Sequence, residues 1–305
     1  MTFNRTAWSM VVCCGIAASA GTAFAQDAGG APASEPPPDG AAPPPDGAAA
    51  QPAPPEEAPA ARWPRAVIAR PLTLPGGIAQ VGADFTANND FSTLKLTAVG
   101  GYGINDDLEL TGFYTFALKE FEIKGIFDAD VGYKLLRGAV DGKVEVIGRG
   151  RIGYDAAAEG ATPLRLGVQA AYTLDPKNPK LVFLTPGQQV VIGLSEDAAM
   201  AKPIYFQLPI QIGYQATPEL YLQLDTTLLQ INISDSANTF IGADTTPIAL
   251  TATYNAMPAL DVIASIGLNL TPPSYVDPIS MMTVEPGVGD TLAFLLGARY
   301  YIGKL

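Results

Sequence analysis

From residue 77 to the carboxyl end, apolar and polar positions alternate with a period of two, the repeat of a half-buried β-strand. Leu94, Leu96, Ala98, Gly100 and Tyr102 share one face against Lys95, Thr97 and Gly101. Leu108, Leu110, Gly112, Tyr114 and Phe116 repeat this opposite Glu109, Thr111 and Thr115. Later runs set Val144, Val146, Ile152 and Tyr154 against Glu145, Arg149 and Arg151, and Leu164, Leu166, Val168 and Ala170 against Arg165 and Gln169. Phe206 to Ile212 alternate with Gln207 and Gln211, Leu260 to Leu268 with Asp261 and Ser265, and Phe294 to Ile302 with Arg299. The pattern predicts twelve strands, near 77–88, 93–103, 108–117, 124–136, 143–154, 162–173, 180–195, 203–215, 219–233, 247–255, 260–270 and 291–303. It slips phase near Pro186-Gly187 and around Leu228-Leu229, which predicts bulges there.

A tyrosine stands before each short turn: Tyr102, Tyr133, Tyr172, Tyr214, Tyr254 and Tyr300, the last followed by Tyr301. Three of the turns are near copies, Tyr102-Gly-Ile-Asn-Asp-Asp-Leu108, Tyr214-Gln-Ala-Thr-Pro-Glu-Leu220 and Tyr254-Asn-Ala-Met-Pro-Ala-Leu260. The opposite ends carry longer connections, notably 234–246 and 271–290. Tyrosine partitions to the membrane interface, ring toward lipid and hydroxyl toward water. A ring of six at one end therefore predicts a girdle on a transmembrane barrel, with the short turns periplasmic and the long loops outside. An even strand number puts both termini on the periplasmic side. Closure follows because hydrocarbon tolerates no unpaired sheet edge. The predicted fold is all-β, a closed antiparallel up-and-down transmembrane barrel over 65–305, behind a disordered amino-terminal linker.

The amino terminus supplies an export route. Arg5 precedes the apolar run Trp8 to Ala20, and Ala23-Phe24-Ala25 is an A-x-A cleavage site, so 1–25 reads as a signal peptide. Residues 26–64 are alanine, proline, glycine and acid, including Pro-Pro-Pro-Asp-Gly-Ala-Ala at 36–42 and again at 43–49. Such a stretch has too little apolar surface to offset its chain entropy. It reads as a semi-stiff polyproline spacer of about 100 Å, either a stalk crossing the periplasm or threading the cell wall, or an inert tether.

Composition narrows the chemistry. Both cysteines, Cys13 and Cys14, fall in the leader, and the chain has no histidine. That leaves no Ser-His or Cys-His catalysis, no disulfide and no histidine metal site. The expectation is a non-enzyme without cofactor or metal. The net charge of −12 owes six acids to the linker (Asp27, Glu35, Asp39, Asp46, Glu56 and Glu57), and no basic block exists to hold nucleic acid. Gly148-Arg-Gly-Arg-Ile-Gly153 spells a dinucleotide fingerprint but falls inside one alternating strand rather than between strand and helix. Asp128-Ala-Asp130 lacks the remaining ligands of a calcium loop.

The segment Arg70-Pro-Leu-Thr-Leu-Pro75, the hairpin Tyr102 to Leu110 and the closing strand Leu295 to Leu305 resemble outer-membrane β-barrels of the Gram-negative, porin-like class. The closing strand is similar to the terminal signal read by the barrel-assembly machinery, although it ends in Leu305 rather than an aromatic residue. The resemblance implies outer-membrane lipid and that machinery as partners, and passive diffusion of small hydrophilic solutes as the function. Lumen-lining positions then follow from the polar face: Lys95, Glu109, Asp128, Asp130, Lys134, Glu145, Arg149, Arg151, Arg165, Asp225, Asp261 and Arg299. Opposed charges on different strands either set a transverse field at a constriction or pair and seal the lumen. The second outcome corresponds to a non-conducting barrel, an envelope anchor or a surface-loop adhesin.

Overall fold

A computed structural model of the chain describes residues 63–91, 93–118, 125–156, 160–194, 204–233, 247–270, 275–276, 283–284 and 288–305. The expected leader, the linker up to 62 and loop 234–246 lie outside the described residues. Of loop 271–290, a short pairing of Tyr275–Val276 with Thr283–Val284 and a turn at Val288–Thr291 are described.

Twelve strands form the wall: β1 (Ala79–Asn88), β2 (Leu94–Asn105), β3 (Leu108–Ala117), β4 (Ile126–Gly138), β5 (Val144–Asp155), β6 (Leu164–Thr173), β7 (Leu181–Pro186 continued by Val190–Ile192), β8 (Ile204–Gln215), β9 (Leu220–Asn232), β10 (Pro247–Met257), β11 (Leu260–Asn269) and β12 (Ala293–Ile302). Each pairs antiparallel with its neighbours in sequence, and β12 pairs with both β11 and β1. The sheet therefore closes, and the edge groups that hydrocarbon would leave unsatisfied are paired. One further two-residue strand, Gly160–Ala161, caps the far end of β5.

The burial pattern is inside-out for a water-soluble protein. Large apolar side chains on alternate positions are exposed, among them Val81, Phe85, Leu110, Phe127, Ile152, Leu166, Leu224 and Leu296. Their polar alternates, such as Gln80, Asp84, Glu109, Gln169, Gln211 and Thr251, are buried. A lipid solvent rewards this arrangement and water penalises it. No helix among the described residues is long and apolar enough to cross a membrane.

Both predicted bulges are present. The β8–β9 register runs from Leu208↔Leu229 to Pro209↔Thr227, skipping Leu228. Pro209 has no amide hydrogen for a ladder bond, so a bulge is where a strand tolerates it. In β7 the register passes from Pro186↔Gln169 to Val190↔Leu166, four steps against three. Gly187 and Gln188 take positive φ to make the step. The Gln189 carboxamide then fills the gap, accepting from the Val168 amide at 2.7 Å and donating to its carbonyl at 2.8 Å. The stretch Gly148 to Gly153 lies wholly within β5.

Candidate functional site

The lumen is built by the inward alternates of all twelve strands, and it is occupied. Residues 63–78, where no strand forms before Ala79, fold into its short-turn half. Trp63 enters against Tyr301 with ring centroids 4.6 Å apart, and Val67–Ala69 make one 3-10 turn. The chain then returns to the rim through Leu74 and Pro75. Val67, Ile68 and Leu72 pack on inward-facing Ile147 (β5), Ala171 (β6), Val182 and Leu184 (β7) and Tyr221 (β9). These apolar inward positions break the polar-inside rule where the segment lies against them.

An irregular segment inside a barrel cannot join the ladder, so side chains must satisfy its backbone. Gln215 accepts from the Ile68 amide at 3.0 Å, Glu145 from Leu72 at 3.4 Å, Glu109 from Leu74 at 2.8 Å and Asp106 from Gly76 at 2.9 Å. Arg149 donates to the Leu72 carbonyl at 3.5 Å. Gly103 has no side chain for a steric reason: a Cβ there would lie 2.2 Å from the Pro75 carbonyl oxygen and 2.3 Å from that of Leu74.

The arginines are engaged by carboxylates. Arg149 reaches Glu109 and Asp130, each at 2.5 Å, and its Nε donates to Gln169. Arg151 pairs with Asp128 at 2.7 Å and lies 4.3 Å from the centre of the Phe113 ring. Arg299 grips Asp84 through two bonds, at 2.7 and 2.5 Å. Arg70, from the inner segment, binds Asp261 through both terminal nitrogens, one of them at 2.9 Å. Its Nε donates to the Pro64 carbonyl at 2.8 Å, and its guanidinium lies 5.0 Å from the Trp63 ring and 5.3 Å from that of Tyr301. Between segment and wall remains a cavity of about 60 Å³, lined by Arg70 and Leu72 on one side and Glu109, Asp130 and Arg149 on the other.

Of the lumen positions expected from sequence, Glu109, Asp128, Asp130, Glu145, Arg149, Asp261 and Arg299 are buried on the inner face. Arg151, Arg165 and Asp225 are partly buried there, with Arg165 directly across the ladder from Arg151 and Asp225 accepting from Gln223 and Thr251. Lys95 is half-buried on β2 toward the long-loop end. Lys134 sits at the short-turn rim, bridging Asp107 and bonding the Asp106 carbonyl at 3.0 Å. The charges meet along the wall, Arg151 with Asp128, Arg149 with Asp130 and Arg299 with Asp84 on adjacent strands and Arg149 with Glu109 one strand further, rather than facing each other across the lumen. Tyr102, Tyr133, Tyr172, Tyr214, Tyr254 and Tyr300 are exposed on the outer face, all at the short-turn end.

Three participants escaped the sequence reading. Asp84 was readable, since it shares the period of Gln80 on β1. Arg70 and Trp63 were not, because nothing in an unpatterned stretch says that it turns into the barrel.

No family model matches the chain, and no curated protein matches it. Among solved structures, the NanC porin is 11% identical with a TM-score of 0.48, covering 73% of this chain and 98% of its own. The KdgM porin is 6% identical with a TM-score of 0.46, covering 72% and 98%. The Acinetobacter baumannii outer membrane protein Omp33 is 11% identical with a TM-score of 0.41, covering 74% and 98%. On its own geometry, a closed ring of twelve antiparallel strands with its apolar face outward and its polar and charged face inward, the chain is a β-barrel of the kind that spans a membrane.

Proposed function

We propose that this barrel is a diffusion channel for small hydrophilic solutes, non-enzymatic, with both termini and the short turns on the periplasmic side. The observation that carries the reading is the inner face, which bears charged side chains on β1 to β6, β9, β11 and β12 although the outer face is apolar. A barrel that served only as an anchor has no need of a lumen lined by Lys95, Asp128, Arg151, Arg165 and Asp225 at the end away from the inner segment. A second reading, a non-conducting structural barrel, is favoured by the occupied short-turn half and by the pairing of its arginines.

Conductance separates the two. The mature chain and a variant lacking 63–74 are reconstituted in planar bilayers and in liposomes, with folding checked by the gel shift on boiling. The channel reading expects steps and swelling in small sugars from the shortened chain. A folded but silent shortened barrel would overturn it in favour of the structural reading. Orientation is tested separately: an epitope within 234–246 is expected to be reachable on intact cells, and one near Thr217-Pro218 is not.

A further inference from the structure

We propose that residues 63–75 are a displaceable plug, latched by the ion pair of Arg70 with Asp261, and that their departure is what opens the lumen. The inference rests on the channel reading for its consequence and on the geometry for its mechanism.

The wall closes without the segment. Every strand of the ring has both neighbours, and the segment contributes to no ladder. It can leave without breaking a strand pairing. Both of its ends lie at the same rim. Trp63 packs on Tyr301 and Ile78, and the return passes through Pro75-Gly76-Gly77, where Gly77 takes φ +82 and its amide bonds the Gly103 carbonyl at 2.8 Å. A loop with adjacent ends and a glycine pair on one side can swing out as a unit. Apart from the Arg70–Asp261 pair, the contacts it would lose include the apolar cup under Ile68 and Leu72, hydrogen bonds of its backbone to the Gln215, Glu145, Glu109 and Arg149 side chains, and those of Arg65 to Asn255 and Thr73 to the Asp106 carbonyl.

Arg70 is what makes the closed form specific. It binds the Asp261 carboxylate with both terminal nitrogens, one of which also donates to the Arg65 carbonyl, and its Nε donates to the Pro64 carbonyl, so one side chain folds the loop back on itself and fastens it to β11. Asp261 is held in turn by the Asn255 amide at 2.8 Å, and Asn255 accepts from Arg65 at 2.8 Å. The latch therefore spans the segment's entrance, its middle and two strands. Asp261 is 1% exposed, so loss of Arg70 removes its two charge-assisted bonds from a buried carboxylate and disfavours the closed form.

The test uses the full chain, whose two cysteines both lie in the leader. Ile68→Cys, 1% exposed in the closed form, is labelled with a membrane-impermeant maleimide, alone and together with Arg70→Glu. Single-channel activity is recorded from the same proteins, and folding is verified by the gel shift on boiling. Arg70→Gln replaces Arg70→Glu should the reversal fail to assemble. The expected result is slow labelling of Ile68→Cys, labelling at least tenfold faster with the Arg70 change, and open events at least tenfold more frequent. Unchanged labelling would overturn the latch whatever the conductance. Faster labelling in a silent barrel would leave the latch standing and sink the channel reading instead.

Discussion

The two halves of the lumen obey different rules although the same strands line both. Toward the long loops, inward positions include Lys95, Thr97, Thr115, Asp128, Arg151 and Arg165 beside the apolar Val191, and Thr97 and Thr115 share a hydrogen bond of 2.8 Å. Toward the short turns, Ile147, Ala171, Val182, Leu184, Tyr221 and Ile263 interrupt the polar set. Those side chains would face water if the short-turn half were empty, at a cost of about 1.5–3 kcal/mol for each large one. They face a folded segment instead, and the nearby acids Glu145 and Glu109 hold its amides. The difference teaches that a barrel interior takes its polarity from what it encloses. Alternation reports which side faces outward, while the residue chemistry of the inner side shows where the inner segment lies against the wall.

The contrast between the halves can be broken or sharpened by substitution. The largest effect is expected from Arg149→Ala, which strands Glu109 and Asp130 without their counter-charge and releases the Leu72 carbonyl. A loss of about 3–5 kcal/mol is expected in denaturant unfolding from lipid or detergent. Arg151→Ala, at a more exposed pair, should cost less, about 1–3 kcal/mol. If Arg149 proved no costlier than Arg151, the halves would not differ in burial of charge. Leu72→Ala should weaken the segment's seat by about 2–5 kcal/mol, read as faster proteolysis within 63–78 while the barrel stays intact. Leu296→Ala on the outer face, where lipid tails refill the space, should leave that proteolysis rate unchanged. Gly103→Ala pushes a methyl group into the returning chain, and about 1–3 kcal/mol of overpacking should appear as cleavage near Pro75-Gly76. Least of all, Lys95→Gln in the open half should alter stability by under about 0.5 kcal/mol. In a variant that conducts, it should shift the reversal potential toward cations. A large stability loss there would mean that the long-loop half is packed as tightly as the other.

Much of this was legible along the chain. A period of two survives every register choice, so the strands, the sense of the two faces, the bulges at Pro186 and Leu228 and the ring of outward tyrosines could be read directly. The side-chain period of a strand is a local property, and lipid enforces it at each outward position. The inward residues could be named for the same reason, but their tasks could not. Glu109 and Glu145 look like pore-lining acids in sequence and serve as acceptors for the amides of Leu74 and Leu72. Arg149 looks like a free inward cation and is engaged by two carboxylates. Those roles depend on contacts between positions far apart in the chain, such as Arg70 with Asp261, 191 residues later. Residues 63–78 carry no periodicity because they belong to no ladder, and no local rule distinguishes an unpatterned tether from an unpatterned plug. Only closure of the ring, which gathers Ile147, Leu184 and Tyr221 into one cup, decided that this stretch lies inside.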